Sequence, residues 1–62
     1  MSKEKLLTID GKNIKIWIKP DPSSINSQII DKIKEELSFG YVSGDIKIYI
    51  EKVQYKIFWT IF

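Results

Sequence analysis

Apolar and polar side chains alternate along several short stretches of the chain. The clearest alternation runs over residues 13–19, where Ile14, Ile16 and Ile18 share one side and polar residues and a Trp share the other. Strict alternation over that length is typical of a β-strand with one buried face. The same criterion predicts three further strands, over residues 5–10, 45–51 and 53–62.

Between the second and third predicted strands, apolar residues recur at helical spacing. Pro20 and Pro22 end the preceding strand because proline cannot donate a hydrogen bond to a sheet. Ser23 or Ser24 is the predicted N-cap, and Gly40 can adopt the left-handed conformation that ends the helix. The apolar stripe of the helix consists of Ile25, Ile29, Ile30, Ile33 and Leu37.

Turn sequences indicate two hairpins. Asp10-Gly11 is a favourable hairpin turn, and in either of the two registers open to this hairpin Leu7 and Ile9 share a face with the isoleucines of the second strand. If Glu51-Lys52 forms a two-residue turn, the apolar residues of the last two strands fall on one face. Glu-Lys is an unfavourable sequence for such a turn, so a longer connection stays open. The two-residue register sets Ile50 opposite Val53, Ile48 opposite Tyr55 and Ile46 opposite Ile57.

The element order ββαββ predicts an α+β fold in one domain, residues 1–62: a four-stranded mixed or antiparallel sheet with one helix packed on one face. The last strand is apolar on both faces, which favours a central position. A β-grasp-like strand order, 2-1-4-3, gives the last strand a central position, with the first and fourth strands parallel in the middle of the sheet. Other strand orders stay open. The predicted core face consists of Leu7, Ile9, Ile14, Ile16, Ile18, Ile46, Ile48, Ile50, Val53, Tyr55, Ile57, Trp59 and Ile61.

Composition limits the chemistry available to the chain. Its 62 residues include no Cys and no His, which excludes disulfides and the usual zinc ligand sets. The common nucleophile–base pairs need those residues too, and no Gly-rich loop precedes the helix to bind phosphate. We therefore expect a non-enzymatic protein with no catalytic residues, metal site or cofactor. Without a long apolar segment or a signal peptide, the expected location is cytoplasmic, with no membrane partner.

The sheet face away from the helix combines aromatic side chains with lysines. A contiguous exposed apolar patch commonly marks an interaction site. Leu6, Thr8 and Thr60 also fall on this face. The predicted binding residues are Lys15, Trp17, Lys19, Lys47, Tyr49, Lys56, Phe58 and Phe62.

Several occupants of that face are consistent with the sequence. A second copy could stack on it, or pair through edge strands, in a homodimer that offsets the small core of so short a chain. Another protein could bind to aromatic anchors, with the lysines selecting an acidic surface. Alternatively, the aromatic side chains only stabilise neighbouring strands. We predict a homo-oligomer or a protein partner.

The alternative partner is a single-stranded nucleic acid, with bases stacked on the aromatic rings and lysines along the phosphates. The net charge of only +2 and the lack of Arg count against it.

One stretch of the chain resembles a pattern in small bacterial and phage proteins. In that pattern a helix is followed by Gly-Tyr-x-Ser-Gly-acidic and then by a C-terminal strand that contains Trp. The matching residues are Phe39-Gly40-Tyr41-Val42-Ser43-Gly44-Asp45 and Trp59. The resemblance implies no activity. From its own residues, the stretch predicts a helix end at Gly40 and a turn at Ser43-Gly44. A small regulator or inhibitor from a mobile element would fit the size and composition.

Overall fold

Within residues 3–62, which a computed structural model describes, four strands form one antiparallel sheet and one helix lies on one face of it. This arrangement confirms the α+β class and the ββαββ order. The predicted strand limits agree with the observed ones to within two residues. The elements are β1 (Glu4–Ile9), β2 (Lys12–Lys19), α1 (Ser27–Ser38), β3 (Ser43–Ile50) and β4 (Val53–Ile61).

Both hairpins close through two-residue turns in which each residue has a positive φ. The angles are 50° and 78° at Asp10 and Gly11, and 51° and 68° at Glu51 and Lys52. Positive φ at both central residues is type I′ geometry. The second turn adopts this geometry although neither residue is glycine, because a one-residue slip would turn the apolar side chains of one strand to the face opposite those of the other.

The register of the second hairpin is the one that the sequence predicts, and it places the core on the face beneath α1. Val53 is the exception: it is 41% exposed, since it lies beside the turn at the end of the hairpin. The observed pairs are Ile50 with Val53, Ile48 with Tyr55 and Ile46 with Ile57. The buried core consists of Ile9, Ile14, Ile16, Ile18, Ile29, Ile33, Leu37, Ile48, Ile57 and Trp59.

The strand order is β1-β2-β4-β3, so the predicted order 2-1-4-3 is wrong. The central position of β4 is confirmed, but its second neighbour is β2, in an antiparallel pair, and not β1. A comparison of β2 with β1 explains why β2 is the strand beside β4. In β2, Ile14, Ile16 and Ile18 are at most 1% exposed, whereas β1 is shorter and begins with Glu4 and Lys5. Short strands with charged residues are suited to a sheet edge.

The helix begins later than the sequence predicts. Its N-cap is Asn26, whose side-chain oxygen accepts a hydrogen bond from the Gln28 N–H at 2.7 Å, so the prediction of Ser23 or Ser24 is wrong. Ile25 explains the difference. It lies just before the cap and is half-buried against the core. This is the position of the first residue in a hydrophobic staple.

The helix ends where the sequence predicts. Gly40, at φ 89°, donates its N–H to the Leu37 carbonyl at 3.0 Å, and Tyr41 donates to the Glu36 carbonyl at 3.3 Å. This pair of hydrogen bonds is the Schellman motif, which requires a left-handed residue at the position of Gly40. Among residues 3–62, no helix is long and apolar enough to cross a membrane.

Gly44 lies within β3, opposite Trp59, so the predicted turn at Ser43-Gly44 is wrong. A Cβ atom on Gly44 would lie 3.3 Å from the Trp59 indole nitrogen. The indole is fully buried at this position. A side chain at position 44 would press against the tryptophan; glycine avoids this contact, and its backbone pairs as an ordinary strand residue.

Candidate binding face of the sheet

The sheet surface that points away from α1 is called the open face here, and the strand register arranges it in rows. All eight predicted binding residues lie on this face or at its ends; their role in binding stays a prediction. Across β1, β2, β4 and β3 the successive rows are Leu6-Lys15-Thr60-Ser43, then Glu4-Trp17-Phe58-Asp45, and then Lys19-Lys56-Lys47 on the last three strands.

The middle row contains a pair of aromatic rings. Trp17 and Phe58 are direct cross-strand partners, with ring centroids 5.3 Å apart and ring planes inclined at 54°. Tilted pairs at this distance are favourable because the edge of one ring meets the face of the other. Phe58 is 44% exposed and Trp17 is half-buried. The pair therefore presents an apolar surface to solvent in the middle of the open face.

The aromatic row ends in a carboxylate on each side, Glu4 on β1 and Asp45 on β3. Neither residue is in the predicted binding set. Glu4 lies one residue outside the predicted first strand, so extending the alternation by one position would have placed it on the open face. Asp45 is set opposite Phe58 by the predicted register of the second hairpin, but the predicted set includes only the aromatic residues and lysines of this face.

The next row consists of three lysines on adjacent strands, and we call it the lysine row: Lys19, Lys56 and Lys47. Neighbouring strands lie about 4.8 Å apart, and like charges placed directly opposite each other destabilise a sheet. All three side chains are exposed. Within residues 3–62 the observed ion pair joins Lys5 to Asp21 and includes no member of the row. The row is therefore a concentration of positive charge without a paired carboxylate.

A shallow depression of about 330 Å³ lies where the aromatic row meets the lysine row. Its volume is at the lower end of the range for small-molecule and side-chain pockets. Apolar side chains, three ammonium groups and the Asp45 carboxylate line it, so it can accept an apolar group together with an anion placed at the lysines. The lining residues are Trp17, Lys19, Asp45, Ile46, Lys47, Lys56, Ile57 and Phe58.

Two of the predicted aromatic residues lie apart from this depression. The Phe62 ring is 4.9 Å from the Lys15 ammonium nitrogen, within cation–π distance, at one end of the face. Tyr49 is paired with Gln54 beyond the lysine row, next to the second hairpin turn, and is 69% exposed. The predicted set therefore divides into five residues at the depression, the Lys15–Phe62 pair at one end of the face, and Tyr49 at the other.

A second groove, of about 470 Å³, runs between α1 and the edge strand β3. Sequence patterns did not indicate it, because it depends on how far the helix lies from the sheet edge. In the described part of the chain, no group of three or more Asp and Glu residues is arranged to hold a metal ion. The groove is lined by Gln28, Asp31, Lys32, Glu35, Lys47, Ile48 and Tyr49.

Comparison with known proteins found no family model, curated protein or solved structure that matches the chain. The resemblance of residues 39–45 and Trp59 to small bacterial and phage proteins therefore stays an expectation.

Proposed function

We propose that this protein is a non-enzymatic binding domain whose open face holds an acidic segment of another protein. The lysine row is the observation that supports this proposal. Three ammonium groups side by side lower the stability of the sheet, and such departures from a stabilising arrangement concentrate at functional sites. A carboxylate from a partner would remove that repulsion on binding.

The charge of the open face favours a different protein over a second copy stacked on the same surface. Four lysines against two carboxylates leave the face with a net positive charge. Stacking two such faces would bring like charges together, which costs binding energy. An acidic partner would instead be attracted by the same positive charge. The charged residues of the face are Lys15, Lys19, Lys47, Lys56, Glu4 and Asp45.

The ends of the aromatic row favour a protein over a single-stranded nucleic acid. Bases stack on flat, accessible rings, whereas Trp17 and Phe58 are inclined to each other by 54° and Trp17 is half-buried. Glu4 and Asp45 also stand at both ends of the row, where they would repel a passing phosphate backbone. A peptide needs only one carboxylate at the lysine row and one apolar side chain at the rings.

The depression explains how the two contacts would act together. An apolar side chain against Trp17 and Phe58 excludes water from the neighbouring lysine row. Charge-assisted hydrogen bonds are stronger in such partly dehydrated surroundings. The aromatic pair would thus supply affinity, while the lysine row selects partners that carry an acid at the correct distance.

The proposal is tested by panning a library of random 12-residue peptides against the protein. We expect enriched peptides to carry Asp or Glu next to a large apolar residue. For one such peptide, Lys56→Gln should weaken affinity about fivefold, as expected for the loss of one exposed ion pair. The same substitution should raise the free energy of unfolding by a few tenths of a kcal/mol, because repulsion within the lysine row falls.

Lys34→Gln, on the exposed side of α1, is the matched control and should change neither peptide affinity nor stability. Fluorescence anisotropy measures the affinity, and urea denaturation measures the stability. Enriched peptides without acidic residues would overturn the proposal, as would affinity unchanged by Lys56→Gln. Tighter binding of a 12-nucleotide oligothymidine, with steep salt dependence, would replace the protein partner by a nucleic acid.

A further inference from the structure

Among residues 3–62, no strand pairs with the outer edge of β3. β3 is at the end of the sheet, and β4 is its neighbour on the other side. The Ile61 N–H donates to the Val42 carbonyl at 2.9 Å, which fixes the pairs that bond across the two strands. Because such pairs alternate along an antiparallel ladder, every second residue of β3 directs its N–H and C=O outward. These residues are Ser43, Asp45, Lys47 and Tyr49.

This edge has little to prevent another strand from pairing with it. β3 contains no proline and spans eight residues, Ser43–Ile50. Proline, bulges and a covering helix are the usual protections of a sheet edge. Here α1 leaves a groove of about 470 Å³ along β3 and does not cover it. The remaining protection of this edge is the charge of Asp45 and Lys47. These two charges determine which strand can pair with β3.

We propose that two copies of this chain associate by antiparallel pairing of their β3 strands, around a two-fold axis at Ile46. In this register Asp45 of each copy lies opposite Lys47 of the other, on the open face. The two-fold symmetry forms that ion pair twice. The outward backbone groups of Asp45 and Lys47 also meet, so each such pair exchanges two hydrogen bonds.

Other registers of the same pairing are less favourable. Sliding one strand by two residues sets Lys47 opposite Lys47 in one direction and Asp45 opposite Asp45 in the other. Like charges directly opposite each other are destabilising. A slide by one residue brings outward backbone groups against inward ones, which breaks the ladder. The charge pattern of β3 is therefore complementary to itself in one register.

The remaining neighbours fit that register. Val42, 65% exposed in the single chain, becomes covered by the opposing strand. Apolar residues thus meet on the helix-covered side of the joined sheet. The expected pairs are Ile46 with Ile46, Ile48 with Gly44, Ile50 with Val42, and Tyr49 with Ser43.

The other edge strand lacks such a pattern. β1 directs Glu4, Leu6 and Thr8 outward, and no lysine among them could pair with Glu4 of a second copy. The inference does not rest on the proposed function. In the dimer Lys19 and Lys56 stay exposed on the open face, so a partner could still bind there.

Charge reversal tests the pairing. In sedimentation equilibrium the wild-type protein should show a dimer at micromolar concentration. Asp45→Lys or Lys47→Asp alone should raise the dissociation constant about tenfold, since each places two like-charge pairs at the interface. The double variant Asp45→Lys/Lys47→Asp restores opposite charges in the same register and should recover the wild-type constant. Both positions are exposed, so the single chain should stay folded, which circular dichroism checks.

Hydrogen exchange gives an independent measurement on the wild-type chain. The amides of Asp45 and Lys47 should become protected as concentration rises, while the outward amides of Leu6 and Thr8 on β1 should not. A wild-type protein that is monomeric at all concentrations would overturn the inference. A dimer unaffected by the single reversals, or one lost with Phe58→Ser instead, would place the interface elsewhere and overturn it too.

Discussion

Trp59 is the largest fully buried side chain of the core, and one glycine determines whether it fits. In the part of the chain that the structure describes, its indole N–H has no hydrogen-bond partner. A buried donor without an acceptor costs free energy, so the indole must gain more from apolar burial than it loses. Gly44, directly across the strand pair, supplies the space in which the ring lies.

Gly44→Ala should therefore destabilise the fold by about 1 kcal/mol. The added Cβ would lie 3.3 Å from the indole nitrogen, so the fully buried Trp59 ring would have to shift by a few tenths of an ångström. Overpacking costs more than the gain from replacing glycine within a strand. Urea denaturation measures the change, with Ser43→Ala on the exposed face as the control. An alanine variant as stable as the wild type would show that the indole can shift.

The helix depends on capping at both of its ends, because its 12 residues are too few for a stable helix in isolation. Gly40 supplies the left-handed residue of the C-terminal motif, and Asn26 supplies the N-terminal hydrogen bond. Packing of Ile29, Ile33 and Leu37 on the sheet supplies the remaining stability. The cap position follows from this packing, since the chain must turn into the helix after Ile25 reaches the core.

Asn26→Ala should lower the free energy of unfolding by about 1 kcal/mol, the usual cost of losing an N-cap. Ser24→Ala, at one of the sequence-predicted caps, is the matched control and should have almost no effect. Urea denaturation of both variants distinguishes the two assignments. A larger loss for Ser24→Ala than for Asn26→Ala would contradict the observed cap.

The whole molecule has one core and two unlike sheet faces. The core between α1 and the sheet holds ten buried apolar residues, seven from the helix-covered face of the sheet and three from α1. The open face consists of rows of polar and aromatic side chains, with the Trp17 and Phe58 rings in contact at its centre. Removing these rings should therefore affect binding more than folding.

Trp17→Ser/Phe58→Ser should leave the chain folded, with a stability lower by about 1–2 kcal/mol. The loss reflects the ring–ring contact and the half-buried area of Trp17. Binding of the selected acidic peptide should fall below detection. Circular dichroism and urea denaturation monitor folding, and Tyr49→Ser, at a largely exposed residue, is the control. An unfolded double variant would mean that these rings belong to the core.

Much of the fold follows from local sequence. The element order, the register of the second hairpin and the C-terminal end of the helix are predicted correctly, and so is the division of the strands into two faces. Of the candidate site, the sequence places all eight predicted residues on the open face or at its ends. The predicted site does not include the carboxylates Glu4 and Asp45, and the sequence does not indicate the groove beside β3.

The sequence by itself determines the faces, because side chains alternate along a strand and a two-residue turn leaves a hairpin one register. Only the tertiary structure decides that β2, and not β1, lies beside β4. Both strands have an apolar face, so periodicity cannot distinguish them, and the choice depends on packing between residues far apart in the chain. The lysine row follows from that choice, since Lys19 meets Lys56 only when β2 and β4 pair.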